Sequence, residues 1–121
     1  MREERGDPGH AADLRKLAAG SRGSFGTVWT LAGSEDLNAN LVLFSAGSGV
    51  GEHVSDEVDV VLVGVAGSGS VTVEGKEHPL AAGRLVFIPK GVRRSVRSGS
   101  EDFAYLSLHR RKGALKIGGK G

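Results

Sequence analysis

Four residues of one parity, His53, Ser55, Glu57 and Asp59, form the part of this chain best placed to do chemistry. Successive side chains of an extended strand point to opposite faces, so residues of equal parity share a face. An imidazole, a hydroxyl and two carboxylates would then look into one space. Imidazoles and carboxylates are the ligands that a first-row divalent ion accepts, and His53 with Asp59 or Glu57 would supply one of each. A histidine beside a carboxylate in a pocket also has the makings of a general acid–base pair. His109, on the last predicted strand, is the further imidazole that could be brought to the same space, so it joins the candidates. Arg94, with Arg93 beside it, would work against a metal if the fold brought it to the same space. A guanidinium is always protonated and has no lone pair to give. It can instead pair with Asp59 or Glu57, or donate to a carboxylate, a phosphate or a sugar hydroxyl. No nucleophile signature and no phosphate loop accompany these residues, so catalytic residues stay unassigned.

The elements that must carry these groups are short strands. Twenty glycines and six aromatic residues in 121 positions suit many brief strands joined by tight turns. Strands are predicted over 27–31, 39–45, 58–65, 70–73, 85–89, 95–97 and 105–110. The run 58–65 is almost continuously apolar and β-branched, which predicts a central strand buried on both faces. Residues 71–76 alternate and then turn at Glu74-Gly75, as a hairpin does. One short helix is predicted over 11–19, with leucines three apart and a stop at Gly20. Residues 1–22 thus read as a flexible segment with a short helix, 23–111 as one β domain, and 112–121 as a flexible basic tail. Many strands and no later helix point to a sandwich or a small barrel.

Composition narrows the function classes. No apolar run approaches the roughly 20 residues that span a bilayer, and the N-terminal residues lack the apolar core of a secretory signal. Cysteine is absent, which removes disulfides, thiolate metal sites and cysteine nucleophiles. A cytoplasmic location and no membrane partner follow as expectations. Residues 23–83 carry eight acids against Lys76, a net −7, whereas 84–121 carry ten basic residues against Glu101 and Asp102, a net +8. The basic residues have no interleaved aromatics and form no nucleic-acid motif, so the two halves are expected to face each other, not a nucleic acid. Trp29, in an early strand, reads as a packing residue.

Spacing adds a family resemblance. Gly47, five residues, His53-x-Ser55, then Gly67 are followed by Gly83, five residues, Pro89-Lys90-Gly91, then Arg94 and Ser98. This resembles the two motifs of the cupin superfamily. The first of those is a glycine, five residues, His-x-His, three or four residues, Glu, six residues and a glycine. The second is a glycine, five residues, Pro-x-Gly, two residues, His, three residues and Asn. The segments 36–41, 53–60, 88–94 and 106–111 are further similar to a group of small single-domain bacterial cupins in which arginine likewise follows the Pro-Lys-Gly turn. The resemblance implies an all-β double-stranded β-helix, or jelly-roll, barrel with a short N-terminal helix. It places Ser55 and Arg94 at two histidine positions and Ser98 at the asparagine. Asp59 is the favoured occupant of the acid position, with Glu57 the alternative after a bulge, although Gly67 then falls one residue late. With its ligands so altered, the chain is expected to bind a small polar or anionic molecule without a cofactor. The alternatives are a metal-dependent enzyme of isomerase, epimerase or dioxygenase type, using manganese, iron, nickel or zinc, and a structural or regulatory barrel that binds a partner. Small cupins often pair through edge strands, so a homodimer is also expected.

Overall fold

A computed structural model describes residues 9–112. The predicted stretch before residue 9 and most of the basic tail lie outside the described residues. Helix α1 spans Leu14–Gly20. It starts three residues later than predicted because Asp13 caps it, its side chain accepting the Lys16 N–H at 3.1 Å. Seven residues cannot hold a helix in isolation. The helix survives by packing Leu14, Leu17 and Ala18 against Leu41, Leu43, Val65 and Ala104.

Nine strands follow: β1 (Gly26–Thr30), β2 (Leu37–Phe44), β3 (Gly49–Val54), β4 (Val60–Ala66), β5 (Gly69–Val73), β6 (Lys76–Pro79), β7 (Leu85–Ile88), β8 (Arg93–Ser98) and β9 (Phe103–Arg110). They form a five-stranded sheet in the order β1-β2-β9-β4-β7 and a four-stranded sheet in the order β3-β8-β5-β6. All strand pairs are antiparallel. The core lies between the sheets, with Phe103, Tyr105, Leu62 and Ile88 from one side and Val71 and Val96 from the other. This is the jelly-roll barrel that the spaced motifs imply. Trp29 packs in the apolar layer under α1.

Three expectations need correction. Strand β4 begins at Val60, not Val58, and lies second from the sheet edge; β9 is the central strand. The burial on both faces is as expected: Val60 and Leu62 face the core, while Val65 faces the helix. Strands β3 and β6 were not predicted. Both are edge strands with almost no buried residues, so neither carries a hydrophobic pattern to read. Finally, His53 lies near the end of one strand and Asp59 precedes the next, so 53–59 is not one extended segment with a common face.

The turn glycines of the motif position the site. Gly91 adopts φ +81°, and its N–H donates to the Ser55 carbonyl at 2.7 Å. Gly67 adopts φ +68°, and a Cβ there would collide with the Asp102 carbonyl oxygen. Both a left-handed backbone and close backbone contact therefore exclude a side chain at Gly67. The Glu74-Gly75 turn is present as predicted, with positive φ at both residues.

Candidate functional site

The residues brought together at the barrel mouth are His53, Arg94, Tyr105 and Ser107. They border a cavity of about 110 Å³ whose floor is Val60, Leu62, Ile88 and Val96. A space of that size holds roughly four waters at about 30 Å³ each, or one molecule of a few heavy atoms. The larger hollows, of about 840 and 520 Å³, are on the outer surface beside α1 and collect none of these groups.

His53 and Arg94 are cross-strand partners on β3 and β8. A bulge between Val50 and His53 turns the imidazole toward Arg94. Gly49 beside it permits the close strand approach, since a Cβ there would collide with the Val96 carbonyl oxygen. Arg94 Nε donates to His53 Nε2 at 3.0 Å, and His53 Nδ1 lies 2.9 Å from the Gly51 carbonyl oxygen. The two contacts together require the neutral tautomer with its proton on Nδ1. The lone pair that would meet a metal is therefore occupied by an arginine N–H.

Arg94 Nη1 is buried and has no hydrogen-bond partner. Burial lowers the Arg94 pKa, an effect that Tyr105 partly offsets. Burial likewise pushes the Tyr105 hydroxyl up to about 12, against the opposing pull of the Arg94 charge. A buried donor without an acceptor costs free energy unless something fills the space before it. Ser55 Oγ, also buried, lacks a partner too.

The other predicted residues stand elsewhere. Asp59 is exposed and accepts the Lys90 N–H at 2.9 Å, so it holds the Pro89-Lys90-Gly91 turn and does not meet His53. Glu57 is exposed, and its backbone carbonyl accepts from Arg110 Nη2 at 2.9 Å. Among the described residues neither acid pairs with Arg94. Arg93 instead approaches Glu52, at 4.0 Å and with both side chains largely exposed, a contact of little energetic weight. Ser98 is buried and donates to the carbonyls of Ser45 and Ser48, which fixes the turn before β3. His109 shares the inner face of β9 with Tyr105 and Ser107 but lies beyond the cavity, paired with Asn38. The two sequence halves do face each other, through β3 against β8.

Sequence reasoning missed Tyr105, Ser107 and Val60. Counting back from His109 in steps of two along the last strand would have found the first two. Val60 emerges from the motif itself. Four residues separate it from Ser55 and six from Gly67, and it lines the cavity. The one-residue excess disappears when Val60, not Asp59, fills the acid position.

These two sheets, closed around a small mouth, define a jelly-roll barrel. Residues 40–109 match the family model of the cupin domain, and the chain belongs to that family. No curated protein matches the sequence. Among solved structures, KdgF from Halomonas sp. is similar at TM-score 0.65 and 23% identity, over 72% of this chain and 80% of that one. TT1209 from Thermus thermophilus gives 0.68 and 25%, over 83% and 95%. BH2720 from Bacillus halodurans gives 0.73 and 17%, over 87% and 83%.

Cupins often hold metal ions, and the donor set of this barrel departs from that chemistry. The four ligand positions carry His53, Ser55, Val60 and Arg94. One imidazole with an engaged lone pair, one hydroxyl, one alkyl group and one fixed cation do not make a site for a dication. Among the described residues, no group of three histidines, cysteines or acids is gathered in a way that could hold a metal.

Proposed function

We propose that this cupin barrel binds a small anion, with the Arg94 guanidinium standing where a metal ion would otherwise be held. The observation that carries this reading is the buried, unpartnered Arg94 Nη1 beside an apolar-floored cavity. A carboxylate accepting from Nη1 would satisfy that donor and neutralise a charge that no acid pairs with among the described residues. The Tyr105 and Ser107 hydroxyls supply two further polar groups on the opposite wall. His53 serves by engaging Nε, which restrains the guanidinium plane. The cavity is small enough to favour a compact monocarboxylate over a bulky phosphorylated sugar.

Thermal unfolding with and without acetate tests the reading. Millimolar acetate is expected to raise the melting temperature of the wild-type protein saturably, and to leave the Arg94→Met variant unmoved. Equal shifts in both proteins would overturn it. With no acid to strand, Arg94→Met is itself expected to change stability by less than about 1 kcal/mol, so the variant remains a folded control.

The expectation of a homodimer finds support at edge strand β7, where Leu85 and Phe87 project outward, 59% and 53% exposed. Among the described residues no helix is long and apolar enough to cross a membrane.

A further inference from the structure

The inner face of the five-stranded sheet changes character along its length. Deep in the barrel the cross-strand pairs are Phe103 with Phe44 and Tyr105 with Val42; toward the mouth they become Ser107 with Asn40 and His109 with Asn38. Four half-buried polar side chains thus occupy inward positions that apolar residues fill one step below.

Three of these groups, Asn40, Asn38 and His109, form a hydrogen-bonded row with Thr30. Thr30 Oγ1 donates to Asn40 Oδ1 at 2.8 Å, Asn40 Nδ2 to Asn38 Oδ1 at 3.4 Å, and Asn38 Nδ2 meets His109 Nε2 at 3.5 Å. His109 Nδ1 lies 2.7 Å from the Arg110 carbonyl oxygen, which completes the row with a neutral imidazole. The two bonds between amide and neighbour are long, hence weak. Each primary amide has two N–H groups and two lone pairs. The row engages one N–H on each asparagine, and among the described residues the other N–H has no partner, nor do the spare lone pairs of the carbonyl oxygens. Uncharged groups that both donate and accept match hydroxyls, and match neither a second charge nor an alkyl chain.

Ser107 joins the two regions. It lines the cavity before Arg94 and is the direct cross-strand partner of Asn40, about 5 Å away by strand spacing. A carboxylate on Arg94 Nη1 would therefore present its second and third carbons to the Ser107–Asn40 lip. We infer that the ligand of this barrel is a hydroxylated monocarboxylate, an α-hydroxy or polyhydroxy acid, held by its carboxylate at Arg94 and by its hydroxyls at Ser107, Asn40 and Asn38. This rests on the anion site proposed above and adds the chemistry of the remainder of the ligand.

Propionate and glycerate separate the two ideas, since they share a carbon skeleton and differ by two hydroxyls. Calorimetric titration of the wild-type protein is expected to show glycerate binding on the order of tenfold more tightly than propionate, about 1.4 kcal/mol. In Asn40→Leu, which keeps the side-chain shape, the preference should fall to near unity with propionate affinity unchanged. Should that variant not fold, Ser107→Ala is expected to lose most of the preference as well. Equal affinities in the wild type would overturn the hydroxy-acid inference and leave the anion site standing. Absence of binding by both acids would remove both. A preference that survives both Asn40→Leu and Ser107→Ala would place the hydroxyl contacts elsewhere and overturn the assignment.

Discussion

The single tyrosine of this protein is expected to resist ionisation until about pH 12. Because Tyr105 has no second tyrosine to obscure it, its tyrosinate absorbance reports one position. Burial among Phe44, Phe103 and the cavity wall penalises the phenolate, and the Arg94 charge offsets only part of that penalty. In the unfolded chain the same hydroxyl titrates near 10. A folded pKa raised above the unfolded value gives stability that is fully present below pH 10 and is lost as pH rises through 12. The loss amounts to about 2–3 kcal/mol. Wild-type stability should therefore fall across that window by this much more than the stability of Tyr105→Phe, which has no proton to release. A tyrosinate midpoint near 10 in the folded protein would show that the hydroxyl is open to water, and the site would have to be redrawn. Arg94→Met should move the midpoint higher still, since it removes the one charge that favours the phenolate.

Replacement of Phe103 by alanine is expected to cost about 3–5 kcal/mol, a large share of the stability of a domain this size. Phe103 is wholly buried, and its ring lies 5.4 Å from that of Tyr105. It also fills the space left by Gly69, where a Cβ would lie 2.6 Å from the ring. The cavity left by truncation would open directly beneath Tyr105, so water entry should also lower the tyrosinate midpoint toward its unfolded value. Urea unfolding of the two proteins measures the first effect and alkaline titration the second. A loss below about 1 kcal/mol would mean that the inner layer can collapse onto the missing ring, contrary to the close packing described.

The barrel was legible in the sequence because its turn residues answer to backbone geometry alone. Gly67 and Gly91 need a positive φ, and each is spaced by the strands between them, so the motif survives changes in chemistry around it. Strands with one buried face were legible too, through their apolar positions. Strands β3 and β6 were not, because neither contains a buried residue and so neither has an apolar face to read. The site was only half legible. His53 and Arg94 followed from the motif, and the structure places them in contact. The parity of 53–59 misled, because a loop interrupts the strand between Val54 and Val60 and lets Asp59 turn outward to hold Lys90. The acid position was thereby credited to a charged residue when the inward side chain is Val60. An ion pair between Arg94 and an acid was expected on charge balance, yet the net charge of a segment does not decide which side chains meet.

The central claim is that a protein cation has taken the place of a metal ion. Metal retention tests it most directly. The purified protein is loaded with manganese, iron, nickel or zinc, dialysed, and assayed for metal per chain. We expect far less than one equivalent of each, with no difference between the wild type and His53→Ala, because the His53 lone pair is engaged by Arg94 and no carboxylate faces it among the described residues. One equivalent of metal retained by the wild type and lost in His53→Ala would contradict the account.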